Sequence, residues 1–264
     1  MLGVRPATDT MLLFWLARNR AAEDQALERL ASGKRINRGS DDPAGLVSAT
    51  QLDAAIRALD AEVKITSRLD ANANIADASL SQLSDLTSEL NAAVVRAANT
   101  AGLSPDEQAA AQFEVDQLVQ SIGRFSDQSV ESLGGVGLDD EQRQALSEHL
   151  RNATSGLASL TSGGENHLGS GNFEAAQGIV REAMNAFSTA RGTVGAFQKS
   201  TLAPRAAQAA GQIESLTAAR SRIVDADFAA ETANLVRART LATANVDLLR
   251  IHRRNAAAVL SLLR

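Results

Sequence analysis

The sequence predicts a mainly all-α protein, an elongated antiparallel helical bundle or coiled coil formed by the N- and C-terminal halves around a short irregular middle. Three observations carry this expectation. Residues 46–101 contain neither glycine nor proline. Phe228, Leu235, Ala242, Leu249, Ala256 and Leu263 recur every seven residues, the interval of a coiled-coil seam. Residues 134–171, by contrast, hold eight of the chain's 18 glycines.

Each predicted element has its own signal. Near the front, Leu13, Leu16, Leu27 and Leu30 mark an amphipathic segment able to partner the C-terminal seam. Asp42 is placed to cap the next helix, with Pro43 at its first position, where the missing N–H costs nothing. Leu52, Ile56, Leu59 and Val63, then Leu80, Leu83, Leu86, Leu90 and Val94, step by threes and fours along one face. Such a helix would be about 85 Å long, ending at Gly102, and the domain built on it should be a rod.

Ser104-Pro105-Asp106-Glu107 is a capping box with proline at the first helical position. The helix it opens carries Val115, Leu118, Ile122 and Phe125 and is expected to end near the last, folding back along its predecessor. A short helix should follow from Asp139 to about Thr161 through Leu146, Leu150, Leu157 and Leu160, flanked by glycine turns. Asn172 is a candidate cap for a helix with Phe173, Val180, Phe187 and Val194 at heptad spacing, which Pro204 should kink or interrupt. The final seam runs from Phe228, with Val246 and Leu260 partly filling the alternate position. The expected domains are a terminal coiled coil of 1–43 with 225–264, and a helical rod of 44–224 with a loop or short helix at 126–171.

Composition narrows the function. With 264 residues the chain can bury a sizeable core, yet aromatics are only 3% and tyrosine is absent, which suits thin helix-on-helix seams. A net charge of −5 lacks the basic footprint of a nucleic-acid binder. The absence of cysteine excludes disulfides and thiolate chemistry. The apolar run 11–17 follows Asp9, is too short to span a bilayer, and leads into Arg18-Asn19-Arg20 rather than a cleavage site. Neither a cleavable signal peptide nor membrane insertion is expected.

Catalytic motifs are missing from the reading. His149, His167 and His252 lie far apart, and no zinc helix, phosphate loop or nucleophile elbow is present. Asp41-Asp42 reads as a helix cap beside a surface acid, and Asp225 and Asp227 as helical acids paired with Arg222. Arg250, His252, Arg253 and Arg254 form either a patch for an anionic surface or a solvated helix face that complements the helix dipole. The expectation is a non-enzyme without cofactors or metals.

Four segments carry a resemblance. They are Leu27-Glu28-Arg29-Leu30-Ala31-Ser32-Gly33 with Arg35-Ile36-Asn37; Asp41-Asp42-Pro43-Ala44-Gly45-Leu46; Ser221-Arg222-Ile223 with Asp225-Ala226-Asp227-Phe228; and Val259-Leu260-Ser261-Leu262-Leu263-Arg264. In order, spacing and joint presence they resemble the bacterial flagellins. The resemblance implies a filament subunit that polymerises with copies of itself for motility. Segments 1–43 and 225–264 would form an inner tube, and Leu13, Leu16, Leu27, Leu30, Phe228, Leu235, Leu249, Leu260 and Leu263 would line the assembly seam. It also implies an extracellular location, type III export guarded by a flagellin chaperone, and hook-associated junction and cap proteins as neighbours.

The chain departs from that pattern in places. Only 126–171 stands where larger outer domains are found, and 126–138 shows no clear counterpart of the family's β-hairpin. Ser88-Glu89-Leu90-Asn91-Ala92 lacks the Arg-x-Arg-Glu patch read by innate immune receptors. Arg250–Asn255 replaces a polar Gln/Asn-rich stretch. Gly33-Lys34-Arg35 also occurs in the hook–filament junction protein, the alternative reading, whereas the closing Leu-Leu-Arg and the Asp-Ala-Asp-Phe segment favour flagellin.

Overall fold

The structure, a computed structural model, describes residues 6–99 and 104–262. Seven α-helices are present among them: α1 (Pro6–Ser32), α2 (Pro43–Asn99), α3 (Pro105–Leu133), α4 (Asp140–Ala158), α5 (Phe173–Phe197), α6 (Ala203–Val224) and α7 (Phe228–Leu262). A 3-10 turn at Leu168–Ser170 precedes α5, and a π turn at Gln198–Leu202 joins α5 to α6. Among the described residues there is no strand, and the one isolated bridge pairs Lys34 with Asp225. The expected end of α2 at Gly102 lies outside the described residues.

The chain divides into two compact units, 1–58 with 212–264, and 59–211. The second is a helical bundle. Leu80, Leu83, Leu90 and Val94 of α2 share one buried cluster with Val115, Val119 and Ile122 of α3, Leu146, Leu150 and Leu157 of α4, and Val180, Phe187 and Val194 of α5. Most of these are aliphatic, as the scarcity of aromatics required. Small residues bring the helices close: an added Cβ on Gly156 of α4 would stand 3.7 Å from Ile179 of α5.

Two caps formed where sequence placed them. Asp42 Oδ1 accepts from the Gly45 amide at 2.8 Å. Ser104 and Glu107 make the complete reciprocal capping box. Asp139 caps α4 through the Gln142 amide at 2.7 Å.

Other expectations need correction. Helix α3 does not stop near Phe125 but continues to Leu133. Its last turns looked like loop because they are rich in serine, but those hydroxyls are satisfied locally. Ser129 Oγ donates to the Phe125 carbonyl at 2.7 Å, and Thr154 Oγ1 of α4 donates to Ser126 Oγ at 2.9 Å. Asn172 precedes α5 without a capping bond from its side chain, which instead donates to Asn166 Oδ1 at 3.2 Å. Pro204, by contrast, interrupts the regular α-helix as expected, through the π turn at Gln198–Leu202 that separates α5 from α6. A regular α-turn would press its ring on the preceding turn; here that turn is widened, with the Ala203 amide donating to the Gln198 carbonyl. Asp225 and Asp227 are not on a helix, since they fall in the break between α6 and α7.

The glycine-rich middle is organised by side-chain hydrogen bonds. Gly137 turns the chain with φ 87°, a conformation open to glycine and costly for most other residues. After α4, Gln112 of α3 donates to the Leu160 carbonyl at 2.8 Å and accepts from the Leu168 amide at 2.8 Å. Asp116 accepts from Gln112 at 2.7 Å and from the Ser162 amide and hydroxyl at 2.9 and 2.7 Å. Burial opposes ionisation of Asp116, but these hydrogen bonds outweigh it and hold its pKa below the usual carboxylate value.

A folded pKa below the unfolded one gives stability that is complete above about pH 4 and is lost as pH falls through the folded value. Asp116→Asn should therefore lower the thermal midpoint at neutral pH, by about 1 kcal/mol in stability. The gap from wild type should close on acidification below about pH 4, read by circular dichroism melts across a pH series.

Candidate assembly surface

The unit formed by 1–58 and 212–264 is built on α1 against α7. Heptad-like steps decide which residues face inward. On α1 these are Leu12, Leu16, Asn19, Glu23, Ala26 and Leu30, and on α7 Glu231, Leu235, Ala238, Ala242 and Leu249. Only Ala26, Ala238, Glu231 and Leu249 among them are fully buried. The seam is thin because alanine stands at its middle.

Glu231 carries the specific electrostatic contact. Arg29 Nη1 of α1 lies 2.9 Å from Glu231 Oε1 of α7, with side chains 22% and 10% exposed. In so dry a place the carboxylate depends on its cation, and removal of either partner strands a charge. A second cross-helix pair, Arg239 Nε to Glu23 Oε1 at 2.8 Å, is more exposed, and His252 Nδ1 lies 2.8 Å from Asp9 Oδ1 farther along.

Two conspicuous sequence segments meet at the end of this pair. Gly33 follows α1 with φ 69°, the left-handed conformation that terminates helices. Its carbonyl accepts from the Ala226 amide at 2.9 Å, and the Arg35 amide donates to the Val224 carbonyl at 2.6 Å. The Arg35 guanidinium adds a bond to the Ile223 carbonyl at 2.7 Å. Asp227 then caps α7, its carboxylate accepting from Ala229 and Ala230 at 2.9 and 3.1 Å. On the other side, Asp41 Oδ2 accepts from the Asn37 and Arg38 amides at 2.9 and 2.8 Å. Those bonds, Arg38 foremost, hold its pKa below the ordinary carboxylate range. The two adjacent acids thus close a loop and start a helix.

The expected seam residues separate into two groups. Leu16, Leu30, Leu235 and Leu249 lie in the α1–α7 contact. Leu13, Leu27 and Phe228 remain 48%, 40% and 58% exposed, the Phe228 ring standing beside Gly33 at the end of α1. A side chain one position away from an inward heptad site points to the flank of the helix. The Leu260 side chain and Leu263 lie outside the described residues. Met11, Phe14, Leu241, Leu248 and Ile251 enlarge the exposed apolar surface, and Phe14 packs edge-on to Trp15 with ring centroids 5.7 Å apart. Of the C-terminal basic group, Arg250 pairs with Asp247, while Arg253 and Arg254 are exposed. Sequence reading missed Ala26, Ala238, Arg29 and Glu231; the signal was the register they share with Leu30 and Leu235. No group of three side chains suited to hold a metal ion occurs among the described residues.

Sequence comparison agrees with this architecture. Residues 11–130 match the bacterial flagellin N-terminal helical region, and 177–263 match the bacterial flagellin C-terminal helical region. Flagellin of Halalkalibacterium halodurans is 28% identical over 250 residues, covering 91% of each chain. Flagellin of Listeria innocua is 28% identical over 258 residues, covering 89% of this chain and 90% of the relative. Flagellin of Bacillus subtilis is 26% identical over 296 residues, covering 94% and 95%. The chain belongs to the bacterial flagellin family.

Arg29→Ala should cost roughly 3–5 kcal/mol by leaving Glu231 buried without its cation. Limited proteolysis of dilute protein should then cut α7 faster than in wild type. Arg29→Met with Glu231→Leu, which removes both charges, should restore most of the protection. In the wild-type monomer itself, α1 and α7 should be trimmed before any cut within 59–211. The thin seam opens at lower free energy than the large buried cluster, and the fragment masses will report the order.

Proposed function

We propose that this chain is a structural subunit of the bacterial flagellar filament, joined to copies of itself through its terminal helices. The observation that carries the reading is the paired α1–α7 seam whose flanks expose Met11, Leu13, Phe14, Leu27, Leu241, Leu248 and Ile251. So much apolar side chain on a two-helix pair is a surface awaiting neighbours. Residues 1–43 and 225–264 form the inner tube and 44–224 the surrounding layer, with Leu13, Leu27 and Phe228 contacting neighbouring copies while Leu16, Leu30, Leu235 and Leu249 hold each copy together.

Export without a cleavable signal, a chaperone on the C-terminal helix, and junction and cap proteins at the filament ends follow from this reading. No helix among the described residues is long and apolar enough to cross a membrane. The role is structural rather than enzymatic, and no cofactor is required. Adding purified protein to filament seeds and imaging elongation by electron microscopy tests the reading; seeds that never elongate would refute it.

Leu249→Asp separates assembly from folding. A carboxylate at the buried Leu249 position of the α1–α7 seam carries a desolvation cost of several kcal/mol. Filaments should vanish from micrographs, while the thermal transition of the 59–211 bundle, which does not include residue 249, stays at its wild-type midpoint.

A further inference from the structure

Helix α3 has two contrasting faces. Val115, Val119, Ile122, Ser126 and Ser129 are buried against the bundle. On the opposite side Ala109, Phe113, Gln117, Gln120 and Arg124 recur by threes and fours along a stripe that is exposed throughout. Phe113 is 65% exposed, and among the described residues no large apolar side chain is more so. Singly exposed apolar residues are common in proteins. This one matters because the same unit offers a place for it.

That place is a groove of about 420 Å³ between α4 and α5. Ala153 and Gly156 of α4 and Ala183 and Ala186 of α5 form its floor, and their small size leaves room for an aromatic ring. Its rim carries the amides of Asn152 and Asn185, as the α3 stripe carries those of Gln117 and Gln120 beside Phe113. The charges are complementary as well. Glu182 stands on the rim without a cation and Arg124 on the stripe without an acid among the described residues. The groove is lined by α4 and α5 alone, and the stripe points away from the bundle, so Phe113 cannot enter the groove of its own chain.

We propose that Phe113 of one copy seats in the α4–α5 groove of the next, with Gln117 and Gln120 against the Asn152 and Asn185 rim and Arg124 toward Glu182. The inference rests on the subunit reading above, which supplies the second copy at high local concentration. The two surfaces differ, so the contact is heterologous. Each copy offers its stripe to one neighbour and its groove to another, and the pairing can pass from copy to copy as a filament requires. One ring and a short polar stripe are too small a contact to hold two free copies together. The contact therefore forms only where the terminal helices have already brought copies side by side.

The chain has no cysteine, so introduced thiols report without background. Full-length Gln117→Cys and Asn185→Cys proteins are polymerised together on seeds and treated with a short bismaleimide. A cross-linked dimer of one variant with the other is expected, and neither variant should cross-link with itself. Phe113→Ser, at an exposed position, should leave the thermal midpoint unchanged yet raise the protein concentration needed to elongate seeds at least about tenfold. Ala186→Trp, which fills the groove, should raise that concentration likewise. Filaments that give no mixed cross-link, or equal cross-linking within each variant alone, would overturn the inference. An unchanged elongation threshold in both Phe113→Ser and Ala186→Trp would overturn it too. Wild-type protein that never elongates seeds would refute the subunit reading itself, and the inference with it.

Discussion

Two backbone hydrogen bonds fix how the front and back of this chain are aligned. The Gly33 carbonyl takes the Ala226 amide, and the Val224 carbonyl takes the Arg35 amide. They occur where α1 and α6 have both ended, and the Val224 carbonyl is one that a helix terminus leaves without an internal partner. Gly33 can present its carbonyl this way because its φ is positive, and Asp227 starts α7 immediately after the bridge. With that alignment set, Arg29 falls opposite Glu231 and Ala26 faces the small middle of α7. A shift of one residue at the bridge would send Glu231 past its cation and bring a larger side chain to the alanine gap.

The bundle of 59–211 rests on a different principle. Its long helices are held by a continuous, mainly aliphatic interior, and the irregular connection between α4 and α5 is fastened by Gln112 and Asp116. The family's usual third-helix hairpin has no counterpart here among the described residues, because α3 runs on to Leu133 and α4 fills the space beside it. Helix replaces strand in this region without a polar penalty, since the serine hydroxyls of the last α3 turns bond within their own helix or to α4.

Much of this was legible from sequence, and the reasons differ by element. The capping residues Asp42 and Ser104 were readable because a cap is a local arrangement of a few residues with a distinctive composition. The long helices were readable because apolar steps of three and four over many turns have no competing explanation. The end of α3 was misread because serine has two uses, in turns and along helices, and only the partner helix decides between them. The break at Asp225 was missed for a similar reason: an acid looks at home on a helix until the residue before it proves to be the last helical one. Arg29 and Glu231 were invisible, being 202 positions apart with nothing local to join them. The seam leucines were recognised as a set, but sorting Leu16 from Leu13 required the true rotation of α1, which one residue of error reverses.

The alanine at the centre of the terminal helix pair has a wider meaning. A leucine there would have let each chain satisfy itself, burying enough surface to keep the two helices closed in isolation. Ala26 against Ala238 leaves that free energy unclaimed, and the larger apolar side chains stand on the flanks instead. In the proposed filament, neighbouring copies would add to the stability of these helices as a mass-action term, beside the Arg29–Glu231 pair and the leucines that hold them within one molecule. On the proposed assembly, such a chain would associate weakly when dilute and strongly when crowded at a growing end.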